Sequence, residues 1–320
     1  MVIMMAQHFL LSPAAKTLSL VQVLRMSEEA AREAFRKVRW PETNGEPVCP
    51  ACGCVDHYDL KTRKVWKCKA CSKQFSETSG TVFHSRKLQI RDILGAIAVF
   101  INGAKGYSAL QLSRDLCVDY KTAFVLLHKV REAIAQARDA GALKGDVEID
   151  GAYFGGYVKP ANKREDRKDR RKKINQSGKR QVVIAIRERG GRTLTFVRKS
   201  EAEGVALASQ TIAKGSTVHA DEAAHWDKLA ARFPTKRINH QIAYSMEGAC
   251  TNQAESFFSR LRRAEIGTHH HVSGDYLGLY AEEMAWREDA RRNSNGDQYA
   301  MALSAVGIAK KSDRMCGYWQ

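Results

Sequence analysis

Three short acidic segments stand in the second half of an otherwise basic chain: Val147-Glu148-Ile149-Asp150, Val218-His219-Ala220-Asp221 and Asn252-Gln253-Ala254-Glu255. The first two place an aspartate at or near the end of a β-branched, strand-like run, and the third places a glutamate on a helix. Carboxylates so far apart in sequence can meet to hold a shared pair of divalent cations. Two hard cations about 3.5–4 Å apart on such oxygens activate an attacking oxygen and neutralise a leaving one, the chemistry of phosphoryl transfer. Asp150, Asp221 and Glu255 are therefore the expected catalytic residues and the expected ligands of two Mg²⁺ or Mn²⁺ ions. Asp146, Glu148 and Glu222 are close rivals. Strand alternation puts Glu148 and Asp150 on one face, and Asp150 lies beside Gly155-Gly156, where close backbone approach is permitted.

The cysteines carry a second pattern. Cys49-Pro50-Ala51-Cys52 is followed, after fifteen residues, by Cys68-Lys69-Ala70-Cys71, the two-knuckle spacing of one structural Zn²⁺. A short β-hairpin between the pairs would complete the tetrahedron, with Tyr58 and Trp66 covering a small core. A redox dithiol needs only one such pair. Cys54 competes with Cys52 on paper, but only Cys49/Cys52 repeats the spacing of Cys68/Cys71. Cys117, Cys250 and Cys316 are isolated and read as buried or incidental thiols.

The elements that must position these groups follow from periodicity. Ser27 to Trp40 has helical spacing and ends at Pro41; Ile90 to Ile101 is apolar and helical until Asn102-Gly103. A polar stretch, Ser76 to Gly80, reads as the link between the cysteine region and the helical block. Ser108 to Cys117 and Tyr120 to Ile134 are two helices about a turn at Val118-Asp119, a helix-turn-helix spacing that any short packed pair also produces. Leu110, Leu116, Phe124, Leu127 and Val130 would bury, leaving Lys121, His128, Lys129 and Arg131 available to a duplex. From Gly145 the period becomes two: strands over 147–154, 181–187 and 193–198, a helix over 203–214, a strand over 216–220 ending at Asp221, and a helix over 226–233. That order predicts an α/β fold, a ribonuclease-H-like mixed sheet preceded by a zinc ribbon and an α-helical, helix-turn-helix-like region. On the helix after Asn252, Ala254, Phe257, Phe258 and Leu261 would pack on the sheet, and Glu255 shares a stripe with Arg262. The expected domains are an N-terminal helical segment (1–46), a zinc ribbon (47–80), a helical DNA-binding region (81–144), a catalytic domain (145–295) with a basic insertion (159–180), and a C-terminal tail (296–320).

The chain of 320 residues has 52 Lys and Arg against 35 Asp and Glu, a net charge of +17, so a polyanionic partner is expected. The longest apolar run, near 96–101, falls far short of the roughly 20 residues that span a bilayer. The first 26 residues make a poor secretory signal, so a cytosolic protein with no membrane partner is expected, with Met1 or Met26 as the natural start. Between the first two strands, the 159–180 segment holds eleven Lys or Arg against three Asp or Glu. It reads as a solvated loop or as a grip on a phosphate backbone that does not read bases, through Lys163, Arg164, Arg167, Arg170, Arg171, Lys172 and Lys173. Arg262 or Arg263 would contact a strand near the cleavage point.

The strings Asp150-Gly151-Ala152-Tyr153-Phe154-Gly155-Gly156, His219-Ala220-Asp221-Glu222, Asn252-Gln253-Ala254-Glu255-Ser256-Phe257-Phe258 and Gly267-Thr268-His269-His270-His271 resemble bacterial insertion-sequence transposases of the DDE type that carry an N-terminal zinc ribbon. The resemblance runs from about Ser27 to Arg292. It implies binding to the terminal inverted repeats of an element, metal-dependent cleavage at its ends and joining of the freed 3′ hydroxyl to target DNA. It further implies a homodimer or higher oligomer on DNA and a bacterial, nucleoid-associated setting. Arg262 stands where the family often has lysine, and a contact to phosphate survives that change with different geometry. Asn252 is a reserve for the third ligand. The three adjacent histidines, 269–271, cannot all face one ion and read as DNA or structural contacts. A catalytically inactive DNA-binding regulator, and a nuclease without strand transfer, are the other classes these features admit.

Overall fold

The computed structural model describes residues 9–169, 172–175, 177–239, 245 and 248–317. In chain order the elements are α1 (Leu20–Leu24), α2 (Glu28–Arg39), β1 (His57–Leu60), β2 (Val65–Cys68), β3 (Gln74–Phe75), α3 (Ile90–Asn102), α4 (Ala109–Asp115), α5 (Tyr120–Ala137), β4 (Asp146–Phe154), β5 (Gln181–Glu188), β6 (Thr193–Arg198), α6 (Gly204–Thr211), β7 (Thr217–Asp221), β8 (Thr235–Ile238), α7 (Asn252–Ala264), α8 (Leu277–Asp289) and α9 (Asn295–Ile308). They divide into two compact units, residues 1–138 with 290–320, and residues 139–289.

In the first unit α3 is apolar around most of its circumference and packs against α1, α2, α5 and α9, as a helix hydrophobic on all sides must. Ser27 caps α2, its hydroxyl accepting from the Ala30 N–H at 3.1 Å. The next residue, Glu28, caps a different helix. Its carboxylate accepts from the Ile90 and Arg91 N–H groups at 2.9 and 3.0 Å, satisfying two orphan donors at the positive end of α3. The Ser76–Gly80 stretch, a polar link by its sequence, is a fastening point. Glu77 is fully buried and takes Arg32 on both oxygens at 3.0 and 2.9 Å, with Arg86 at 2.8 Å. Arg39 donates to the Glu77 and Ser79 carbonyls. Burial alone would raise the Glu77 carboxyl; the Arg32 and Arg86 guanidiniums overrule it and hold it below the ordinary range.

The segment expected as a C-terminal tail is instead helical across Asn295–Ile308. α9 opens on a Ser294/Asp297 capping box and packs on α2, α3 and α5. With α3 and α9 beside it, α5 buries residues that an isolated two-helix unit would expose. Arg131 is 1% exposed, its guanidinium 5.8 Å above the Phe100 ring. His128 is buried as well, its Nδ1 2.9 Å from the Phe124 carbonyl. Lys129 is half-buried, and burial pushes its amine below the ordinary lysine range. Of the basic residues expected to meet a duplex here, Lys121 stands exposed and Arg131 and His128 do not. Conversely, Leu110 is 52% exposed and Leu112 buries in its place.

The second unit is built on a five-stranded mixed sheet of order β6-β5-β4-β7-β8. β6, β5 and β4 are antiparallel neighbours, and β7 runs parallel to both β4 and β8. Strand alternation divides the core. Val147, Ile149, Val182 and Ile184 face α6 and the helical turns at 224–231, meeting Leu207, Trp226 and Leu229. Ala152, Phe154, Val183 and Ala185 face α7 and α8, meeting Phe257, Phe258, Leu261 and Met284. The sequence does not announce β8: Thr-Lys-Arg-Ile offers no alternation strong enough to mark an edge strand. Among the described residues of the basic 159–180 segment the regular structure is one short helical turn at Lys173–Asn175.

Replacing Glu77 with Ala leaves Arg32 and Arg86 without their buried counterion. Breaking such a cluster costs about 3–5 kcal/mol, so the denaturant midpoint of the first unit is expected to fall accordingly; an unchanged midpoint would count against Glu77 as its fastening.

Candidate active site

The register of β4 against β7 pairs Asp146 with Thr217 and Glu148 with His219. Two residues further along both strands stand Asp150 and Asp221, level with each other across the parallel pair. Asp221 closes β7, and its carboxylate accepts from the Ala223 N–H at 3.1 Å, which turns the chain sharply after the strand. Arg237 on β8 orders the same turn, donating to the Asp221 and Ala223 carbonyls at 2.6 and 2.8 Å.

Glu255 reaches the same region from the first turn of α7. What places that helix is Glu148, a rival ligand in the sequence. Glu148 is fully buried, and one of its oxygens accepts from the Gln253 and Ala254 N–H groups at 2.8 and 3.0 Å, while the other takes Arg189 at 2.9 Å. A carboxylate on the positive end of a helix is favoured by the aligned peptide dipoles. Further fastening comes from Gln253, whose side-chain carbonyl accepts from Arg187 at 3.2 Å, and from Arg260, which pairs with the buried Glu288 at 2.9 Å. Asp146, the second rival, is exposed at the start of β4 and bonded to His219 Nε2 at 2.8 Å. Glu222, the third, is exposed.

The electrostatics single out Asp150. Its carboxyl is pushed up to about 7, first by burial and then by the charges of Asp221, Glu201 and Glu255, against the Gly151 N–H, which donates to it at 2.7 Å. Asp221, Glu201 and Glu255 are thus the acidic neighbours whose charges act on it. Glu201 escapes sequence reasoning. It sits on a turn after β6, where no periodicity marks it, and burial together with Asp221 raises its carboxyl while Arg180 opposes the rise. Its sequence signal is Gly151, a glycine inside a strand, which often marks close approach of another group. His225, 3.7 Å from Glu201, escapes it likewise. The donor set is all hard oxygen, the kind that holds Mg²⁺ or Mn²⁺ rather than a soft metal.

The four paired cysteines form the other cluster. The sulfurs of Cys49, Cys52, Cys68 and Cys71 all lie within 4.8 Å of one another, with Cys49–Cys71 at 3.6 Å and Cys52–Cys68 at 3.5 Å. A tetrahedron with metal–sulfur bonds of about 2.3 Å has edges close to those separations. Each knuckle closes on a left-handed residue, Gly53 or Ser72, whose N–H returns to the carbonyl of Cys49 or Cys68. Cys54 stays outside, its sulfur directed to the Asp56 carbonyl. Trp40, Trp66 and Phe75 form the core under the cluster, whereas Tyr58, expected there with Trp66, is 58% exposed.

Among the other sequence-derived positions, Lys163, Arg164, Arg167, Lys172, Arg262 and Arg263 are exposed. Arg170 and Arg171 lie outside the described residues, as does the side chain of Lys173. Arg167 donates to the carbonyls of Ala161 and Asn162. The histidines 269–271 do not converge: His269 packs edge-on against Tyr280 at 4.6 Å, and His270 and His271 are exposed.

Residues 142–289 match the family model of the ISXO2-like transposase domain, and residues 26–74 match that of the transposase zinc-ribbon domain. The chain thus carries a transposase zinc-ribbon domain followed by an ISXO2-like transposase domain. The first match contains Asp150, Glu201, Asp221 and Glu255, and the second contains all four cysteines of the cluster, which is thus a zinc-ribbon site fitted to one structural Zn²⁺. The chain is also 24% identical over 279 residues to an uncharacterized protein in transposable element ISH50 of Halobacterium salinarum, covering 83% of this chain and 92% of that protein. No helix among the described residues is long and apolar enough to cross a membrane.

The Asp150 carboxyl lies above its usual value of 3.8, so the folded state favours its protonated form; its contribution to stability is full below about 3.8 and is lost as pH rises through about 7. Without divalent ions, Asp150→Asn is therefore expected to unfold at higher denaturant than wild type at pH 8, by about 1–3 kcal/mol, with a narrower margin at pH 5. For the zinc cluster, Cys68→Ser is expected to abolish, and Cys54→Ser to leave intact, one zinc per chain by atomic absorption, and chelation is expected to expose Trp66 to fluorescence quenchers.

Proposed function

We propose that the protein is a DNA transposase that binds the terminal inverted repeats of its element, cleaves at the element's ends and joins the freed 3′ hydroxyl to target DNA. What supports this reading is the match of residues 142–289 to a transposase domain, together with a buried Asp150 whose carboxyl is pushed up to about 7, first by burial and then by the charges of Asp221, Glu201 and Glu255. The five-stranded mixed sheet, with β6, β5 and β4 antiparallel and β7 parallel to β4, supports a ribonuclease-H-like core. Asp150, Asp221 and Glu255 would hold two Mg²⁺ or Mn²⁺ ions, which when bound supply charge neutralisation and orientation of the in-line oxygens.

The chain's own residues do the rest. β4 and β7 fix two carboxylates on a rigid sheet, and Glu148 holds the helix that delivers the third, so that reacting groups are aligned before DNA arrives. Because phosphoryl transfer of this kind needs no protein nucleophile, cysteine and serine near the site require no role in it. The exposed basic side chains Lys163, Arg164, Arg167 and Lys172, together with Arg262 and Arg263 at the end of α7, supply contacts to phosphate that hold the duplex without reading its sequence. Lys121 remains the candidate on α5. Both ends of an element must be held together for joining, so a homodimer or higher oligomer on DNA is part of the reading.

The test is cleavage of DNA carrying the ends that flank the protein's own gene, in Mg²⁺ or Mn²⁺. Wild type is expected to nick at the element boundary and to form joined products, and Asp150→Ala, Asp221→Ala and Glu255→Ala are expected to bind the ends and fail to cut. If wild type binds the ends with no cleavage in either metal, the protein is a DNA-binding regulator and the enzymatic reading is lost.

A further inference from the structure

We propose that the outer face of the zinc-ribbon sheet binds an unpaired nucleotide of a DNA strand, with Tyr58 as the ring on which its base stacks. The inference rests on the DNA-binding reading above and adds to it a surface and a ligand class. The three strands are in register: Tyr58 on β1 stands opposite Lys67 on β2, and Lys67 stands opposite Gln74 on β3. Side chains alternate across a strand, so these three form one row on one face, and Trp66, Cys68 and Phe75 belong to the other. That other face is closed. Trp40 meets Trp66 edge-on at 5.9 Å, the Arg36 guanidinium lies 6.0 Å from the same ring, and Arg32 donates to the Lys64 carbonyl at 3.1 Å. On the outer row, by contrast, Tyr58 and Gln74 are exposed and Lys67 is half-buried.

The second observation is charge. From His57 to Phe75 the chain has six Lys or Arg against one Asp. Lys69 sets its amine 5.3 Å from the centre of the Tyr58 ring. Lys61, Arg63 and Lys64 are exposed on the turn that joins β1 to β2, and Lys73 is exposed beside Gln74. With Lys67 they make six cations, none of which pairs with a carboxylate among the described residues, whereas Arg32 and Arg86 of neighbouring segments are both held by Glu77. Cations left without counterions on so small a domain repel one another until a polyanion is supplied.

An exposed ring among free cations combines the two parts of a single-strand site: the cations follow the phosphates and the ring stacks a base. A paired duplex offers a sheet surface its phosphates and base edges, because the base faces are closed off by stacking on one another. Only an unpaired nucleotide presents the face that a tyrosine on a sheet takes. Lys67 and Gln74, next along the row, bring hydrogen-bonding groups to the edge of the same base. The strand cutting and joining proposed above frees strand ends of this kind.

The full chain is titrated, without divalent ions, into a labelled single-stranded oligothymidylate and separately into a labelled blunt duplex of unrelated sequence. Binding is read by fluorescence anisotropy for wild type, Tyr58→Ala, Tyr58→Phe and Lys67→Gln, and retention of zinc by each variant establishes that its ribbon is folded. Tyr58→Ala is expected to weaken binding of the oligothymidylate about 5–150-fold with duplex binding unchanged, and Tyr58→Phe to restore it. Lys67→Gln is expected to reduce the slope of log affinity for the single strand against log salt by about 0.7. If Tyr58→Ala binds the single strand as wild type does, or loses single strand and duplex alike, Tyr58 takes no unpaired base and the inference is overturned. If wild type binds neither oligonucleotide, the DNA-binding reading falls, and the inference with it.

Discussion

Burial of the Asp150 carboxyl, with the charges of Asp221, Glu201 and Glu255 acting on it, is the constraint on which the site in the second unit depends. The parallel register of β4 and β7 sets Asp150 level with Asp221, the Gly151 N–H ties down the Asp150 carboxylate, and the cap at Ser200 fixes the turn that bears Glu201. The cost shows in Asp150 itself, whose carboxyl is pushed up to about 7, first by burial and then by its neighbours. Under the proposed function, divalent cations on hard oxygen ligands would offset that cost.

Each unit solves its assembly problem with the same device, a buried or half-buried glutamate satisfying the first N–H groups of a helix distant in sequence. Glu28 does so for α3, the central helix of the first unit, and Glu148 for α7, which carries Glu255. Helix ends otherwise leave four donors unpaired, so a carboxylate there removes a cost and fixes the direction of the helix axis at once. In the second unit this makes Glu148 a positioning residue. The sequence alone ranks it beside Asp150 as a ligand, because the two share a face of one strand, and the difference lies in what the partner helix brings to each.

Features governed by local spacing are legible in the sequence itself. The Cys49/Cys52 and Cys68/Cys71 pairs need only their spacing, the Val-x-Ile-x alternation ahead of Asp150 marks a strand, and the apolar stripe Ala254, Phe257, Phe258, Leu261 marks the packed face of α7. What the sequence hides is governed by contacts between distant segments. Arg131 and His128 read as a solvent face of α5 because nothing in their own sequence shows that α3 and α9 will cover it, and α9 itself reads as a tail. Glu77 sits in a run of serines and threonines that looks like a linker, and its three arginines come from two other segments. Glu201 lies on a turn, where hydrophobic period carries no information; the glycine it rests on is visible, but not what it makes room for. β8 is short and carries two basic residues, so its pairing along β7 is decided by the sheet edge and not by its own composition.

Carboxylates from β4, β7 and α7 holding a common pair of divalent cations is the central claim, and its most direct test is anomalous diffraction from crystals of the full chain soaked in Mn²⁺. Two manganese peaks roughly 3.5–4 Å apart are expected, each bonded to oxygens of Asp150, Asp221 or Glu255. Manganese bound only at other residues, or Asp150, Asp221 and Glu255 turned away from one another in a fully loaded crystal, would contradict it.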